Sequence, residues 1–227
     1  MKTEIKKKAE NFWYHHKIGV LITLAFVIIF AVCAVQMLNR TIYDLYVLYA
    51  GPANINVSSD GGVTVHAKLE SALRQVSGEA ELNCSIECVT YIPDDLAKEY
   101  IDKGINYSAG DNLNAYNSFK NSVVNGKYAV LMLTPTLYEE TKLNGALASL
   151  EEVLGYKPEN SEDGFGIALG DTAFYRFFDG ISDIPADTVL CLRNLENPSS
   201  LFGLNTGGEN WEAQVEIFRK IVEFEVD

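Results

Sequence analysis

The residues best placed to contact a ligand follow an apolar run. In GKYAVLMLTPTLYEE, residues 126–140, the segment 128–133 reads as a strand, and Thr134, Thr136 and Tyr138 stand just beyond its carboxyl end. Open α/β sheets commonly hold ligands there, and hydroxyl groups suit noncovalent recognition of a solute. Thr136 has a second role open to it, as the N-cap of the next helix, with Glu139 at the third helical position completing a capping box. Asp171 and Thr172 follow Gly170 at another helix entrance, where capping again accounts for them without a ligand.

No set of side chains with catalytic spacing emerges. His66 is the sole imidazole outside the pair His15 and His16, and it reads as structural. Asp94 and Asp95 are adjacent, so their carboxylates point in different directions instead of converging. Gly164, Gly166 and Gly170 miss the dinucleotide fingerprint because their last interval is one residue too long. There is no GxSxG elbow, HExxH pair or P-loop, so no catalytic residue, no metal site and no cofactor is assigned. Cys84 and Cys88 lie four apart in a strand, about 13 Å from each other on one face, and cannot bridge. Cys191 could pair with one of them; free buried thiols behaving as small hydrophobes are the preferred reading.

These residues need a layered scaffold to position them. Strands are expected at 44–50, 81–91, 128–133 and 188–192, and helices at 67–76, 93–103, from Asp111 or Asn112 to 123, at 171–178, and at the C-terminus, where Trp211, Val215, Phe218, Ile221 and Val222 form one stripe. The segment 81–91 alternates, with Leu82, Cys84, Ile86 and Cys88 on one face. The run 128–133 is apolar throughout and predicts a central strand buried on both faces between parallel neighbours. Polar or Gly- and Asn-rich loops fall at 56–62, 155–163 and 194–208. Alternating strand and helix gives an α/β domain: a layered mixed sheet with flanking helices.

Ahead of that domain, residues 18–37 run for 20 residues without a charge, enough to span a bilayer as one transmembrane helix. Residues 1–17 carry five lysines against two glutamates, a basic tail expected to stay in the cytoplasm and to leave 38–227 outside the cell membrane. A cleaved signal peptide would have a shorter apolar region, and a lipoprotein signal ending at Cys33 would want a small residue where Val32 stands. From residue 18 onward, 13 basic residues face 29 acidic ones, a net charge of −16. That balance argues against nucleic acid and against gripping anionic headgroups.

Residues 116–154, including NGKYAVLMLTPTLYEETKLNGALASLEEVLG, resemble a segment of the extracellular solute-binding proteins of ABC importers, the type II periplasmic-binding-like family. The shared pattern is a helix ending in an Asn/Gly turn, an apolar strand, a Tyr-bearing helix, a GxL turn and a further Leu-rich helix. GFGIALGDTAFY resembles the segment by which those proteins return to their first lobe. The resemblance implies a periplasmic-binding-like lobe, although residues 38–227 are too few for two full lobes and the anchor differs from the usual lipid attachment. The expected function is a noncatalytic ligand- or protein-binding module outside the membrane, its partner a small solute or another envelope protein. Alternatives are an envelope assembly or scaffold protein without a small ligand, and then a hydrolase.

Overall fold

An apolar sequence free of proline makes one long helix. In the computed structural model, which describes residues 2–38, 43–58, 61–79, 81–125, 128–194 and 210–226, helix α1 (Lys2–Leu38) runs unbroken. Its portion Trp13–Gln36 is 24 residues long with mean hydropathy 3.0, and its apolar side chains are exposed, Phe30 by 76%. At about 1.5 Å per residue this portion is longer than the ~30 Å hydrocarbon core of a bilayer. It is long and apolar enough to cross a membrane.

The second unit, Tyr43–Asp227, is a mixed α/β domain. Its elements are β1 (Leu45–Gly51), α2 (Val65–Ser77), β2 (Cys84–Thr90), α3 (Asp94–Asp102), α4 (Ala109–Asn125), β3 (Val130–Leu133), α5 (Pro135–Leu143), α6 (Leu150–Leu154), β4 (Gly166–Ala168), α7 (Ala173–Phe177), β5 (Val189–Leu192) and α8 (Trp211–Val222). The five strands form one sheet in the order β2-β1-β3-β5-β4. β1 runs parallel to both β2 and β3, whereas β5 is antiparallel to β3 and β4. The run 128–133 is therefore central, but only one of its neighbours is parallel. β5 reverses direction because the segment after β4 returns to the sheet through short turns, without a crossover helix the length of α4.

Strand alternation divides the core between the two faces of the sheet. Leu45, Val47 and Tyr49 of β1, with Val130, Met132, Leu190 and Leu192, pack under Leu69 and Leu73 of α2 and Val215, Phe218 and Ile221 of α8. Tyr46, Leu48 and Ala50, with Leu131, Leu133 and Cys191, pack under Phe119 of α4 and Leu137 and Tyr138 of α5. Every residue of β1 and β3 is buried, as expected where helices cover both faces. The expected stripe on α8 holds for Val215, Phe218 and Ile221, and Gln214 joins it as a fully buried polar member. The Gln214 side-chain oxygen accepts the Tyr46 N–H at 3.0 Å, which satisfies a backbone donor inside the sheet.

The same division settles the thiols. Cys84 and Cys88 pack against the α2 and α8 side, while Cys191 is buried on the α4 and α5 side, and all are free. A bond from Cys191 to either would have to pass through the sheet. α4 starts at Ala109, earlier than a cap at Asp111 or Asn112 requires, and the Ser108 hydroxyl accepts the Asp111 N–H at 3.3 Å. The loop expected at 194–208 lies outside the described residues after Asn194.

Candidate functional site

Pro135 organises the junction after β3. It cannot sit behind a helical residue, so Thr134 is held extended at φ −59° and ψ 153°, and Pro135 takes the first helical position, where its missing N–H costs nothing. Thr134 is consequently the N-cap residue of α5, and Thr136 is an exposed residue of the first turn. This corrects the expectation that Thr136 caps the helix. Glu139 closes no capping box either, for its carboxylate accepts Lys142 Nζ at 2.8 Å.

Thr134 does not cap with its side chain. Its N–H donates to Ala50 O at 3.0 Å, tying β3 to β1, and its carbonyl accepts Tyr138 N–H at 2.9 Å, but Oγ1 is buried with no partner among the described residues. Thr188 has the same defect: it is 1% exposed and its Oγ1 is also unpartnered. Leu133 pairs with Val189, so one further step of that antiparallel register sets Thr134 opposite Thr188. These two buried hydroxyls, without a partner among the described residues, lie at the carboxyl end of β3 on the α2 and α8 face of the sheet, the face of Val130, Met132, Leu190 and Leu192. Each unmet group of this kind costs about 1–3 kcal/mol unless water or a ligand serves it.

Beside that end opens a cleft of about 470 Å³, whose lining includes Pro135, Tyr138, Lys142, Asp163, Asp171 and Val189. One turn of α5 separates Tyr138 from Lys142, so both side chains reach the segment that carries Asp163. The Tyr138 hydroxyl donates to Asp163 Oδ1 and Oδ2 at 2.8 and 2.7 Å, and Lys142 Nζ donates to Oδ2 at 2.7 Å. Lys142 Nζ also lies 5.1 Å from the centre of the Tyr138 ring. The ring is seated on Gly166, where an added Cβ would fall 2.7 Å from Tyr138 Cε2 and 2.5 Å from Val189 Cγ1. Glycine here makes room for the tyrosine.

The electrostatics hold this cluster in fixed protonation states. Burial, and then the bond to the Asp163 carboxylate, push the Tyr138 phenol well above its ordinary range, so it remains a neutral donor. For Asp163, burial raises the carboxyl, but bonds from Lys142, the Phe165 N–H and Tyr138 outweigh it and leave it below its usual value. The bond to Asp163, then that to Glu139, raise Lys142. A phenol so placed is no base, and a carboxylate so paired is no ready acid. The arrangement suits hydrogen bonding to a polar ligand.

Of the residues singled out from the sequence, Tyr138 and Asp171 line this cleft, and Thr134 lies buried at its strand end. Asp171 is exposed, and its backbone carbonyl accepts Asn160 Nδ2 at 3.3 Å. Thr172 is buried, and its hydroxyl is fully engaged: it accepts Tyr175 N–H at 3.2 Å and donates to Leu169 O at 2.6 Å. Asp163, Lys142 and Gly166 complete the cluster and carried no signal in the sequence beyond the four-residue spacing of Tyr138 and Lys142. Elsewhere, His66 sits half-buried in the first turn of α2 with its N–H on Ile55 O at 2.8 Å. The Cys84 thiol is pushed up to about 12 by burial, away from nucleophilic character. Among the described residues, no group of three or more His, Cys, Asp or Glu side chains is placed to hold a metal ion. Compared with protein-family models, with curated proteins and with solved structures, the chain matches none.

Proposed function

We propose that the protein is a single-pass membrane protein whose domain lies outside the cell and binds a small polar solute noncatalytically in the Tyr138–Asp163 cleft. The observation that carries this reading is the convergence of Tyr138, Lys142 and Asp163 on one cleft at the carboxyl end of the central strand. β1 leads into α2 on one face of the sheet and β3 into α5 on the other, so the strand order changes direction beside this point. Ligands of open α/β sheets gather at such a switch. The carboxylates of Glu139, Glu162, Asp163 and Asp171 around the cleft favour a ligand that donates hydrogen bonds, such as one bearing hydroxyl or ammonium groups. The resemblance of residues 116–154 to a solute-binding lobe agrees with this choice. The basic tail at 1–17 supports a cytoplasmic N-terminus.

The test is a thermal-shift screen of the full chain in nonionic detergent against sugars, amino acids and short peptides. Mass action raises Tm for any ligand that prefers the folded state. A hit should lose its shift in Tyr138→Phe and in Asp163→Asn. Hits that persist in both variants, or no hit across the three classes, would remove the cleft from consideration. A protein-docking role without a small ligand is favoured by Ile101, Ile105 and Leu113, apolar residues exposed along the α3 and α4 segment. In that case the screen stays blank, while Leu113→Lys disrupts co-purification of an envelope partner.

A further inference from the structure

At the other end of β3 lies a second cavity, with a charge at its wall that no described residue answers. Arg193 follows β5; its N–H donates to Ala129 O at 2.9 Å, and it bridges to Leu147, so its backbone is fixed on both sides. The residue is only 5% exposed. Its Nε and Nη2 are buried and have no hydrogen-bond partner among the described residues. These two nitrogens form one edge of the guanidinium, the edge that a carboxylate grips side-on through both oxygens. Arg193 lines a cavity of about 270 Å³, together with Phe119, Lys120, Val123, Glu140 and Ala146 among others.

The protein has a carboxylate in this cavity, yet it is committed elsewhere. Glu140 Oε1 accepts the Tyr116 hydroxyl at 2.6 Å and lies 3.8 Å from Lys120 Nζ. Thr141, another wall residue, donates its hydroxyl back to Leu137 O at 2.6 Å. A buried, unpaired cation is among the most costly features a fold can carry, and removal from water disfavours its charge. Phe119, Val123 and Ala146 make much of the remaining wall apolar.

We propose that this cavity is a second binding site, which takes a small monocarboxylate with an apolar body: the carboxylate lies on the Nε and Nη2 edge of Arg193, and the body lies between α4 and α5. This is separate from the Tyr138–Asp163 cleft, since Arg193 stands beyond the Val130–Leu192 end of the β3–β5 ladder and Val189 marks the opposite end.

The experiment uses the full chain in nonionic detergent and follows Tm by intrinsic fluorescence, with butyrate as the probe and butyramide and inorganic phosphate at equal ionic strength as controls. Butyrate should raise Tm by about 3–5 °C for each tenfold increase beyond its Kd. Butyramide and phosphate should not. Arg193→Met, which keeps the length of the side chain and removes the charge, should melt higher than the parent without butyrate and lose the butyrate shift. Val123→Phe, which fills the cavity from α4 and leaves Arg193 in place, should also lose it. The proposal is overturned if butyrate does not shift the parent, if butyramide or phosphate shifts it equally, or if the shift survives in either variant. It is equally overturned if Arg193→Met melts below the parent, because the guanidinium would then already have a partner.

Discussion

Replacing Thr134 by valine separates two kinds of threonine at a helix entrance. Thr134 and Thr172 are both N-cap residues and both buried, but Thr172 spends its hydroxyl on Tyr175 N–H and Leu169 O, whereas Thr134 Oγ1 meets nothing. Valine keeps the shape and stiff χ1 of threonine while deleting the hydroxyl. At position 172 the change should cost about 1–2 kcal/mol, from a lost cap and a carbonyl left without its donor. At position 134 there is no bond to lose, and an unmet buried hydroxyl of about 1–3 kcal/mol is removed, so stability should hold or rise. For a chain of this size the gain appears as about 2–4 °C in Tm per kcal/mol, against a fall of similar slope for Thr172→Val. Urea titration of both variants, read at constant slope, gives the same comparison without relying on temperature. A loss of about 1 kcal/mol or more in Thr134→Val would refute the reasoning, because the hydroxyl would then be bonded in the free protein. A double substitution with Thr188→Val tests the pair: independent unmet groups add, and groups sharing one bridging water do not.

Two further outcomes concern the tyrosine cluster. Gly166→Ala places a methyl 2.5 Å from Val189 Cγ1 and 2.7 Å from Tyr138 Cε2; one is β-branched and the other is tethered to Asp163, so neither gives way and urea unfolding should show a loss of about 1–3 kcal/mol. The pH profile of Tm should carry Asp163 on its acid side. Its folded pKa lies below its unfolded value of about 4, so its contribution is complete above that value, fades as pH falls through the folded pKa, and should vanish from the profile in Asp163→Asn. Lys142, raised by Asp163, acts on the other side: its contribution is complete below about 10.4 and is lost as pH climbs through the higher folded pKa.

The layers of the domain were readable because they rest on periodicity. β1 and β3 are buried at every position since helices cover both faces. In β2, Cys84, Ile86 and Cys88 pack toward α2 and α8 as their alternation predicts, but the other face is covered as well: Val89 is the buried residue of the strand, and Glu87 accepts the Ser122 hydroxyl of α4 at 2.9 Å. Reading the direction of β5 was a different matter. Nothing in VLCL distinguishes a strand running parallel to β3 from one running against it, and the register that pairs Val189 with Leu133 depends on the turns after Ala168. The misplaced cap has a local cause. The sequence carries a capping box at Thr136 and Glu139, but Pro135 is the stronger constraint, and it fixes the N-cap at Thr134 and the helix start two residues earlier.

Partner geometry, which a sequence does not print, decides the two sites. Thr134 stood out as a threonine after a strand, yet its interest lies in having no partner, which requires the Ala50 carbonyl, the Pro135 turn and the position of Thr188 together. Arg193 has no mark in the sequence: an arginine after VLCL reads as the charged end of a strand, and strand ends usually reach water. Here its backbone is clamped between Ala129 and Leu147, and α4 and α5 close over the side chain, so the charge is carried inward. The domain therefore leaves unmet polar groups at both ends of its central strand, hydroxyls at one and a guanidinium at the other.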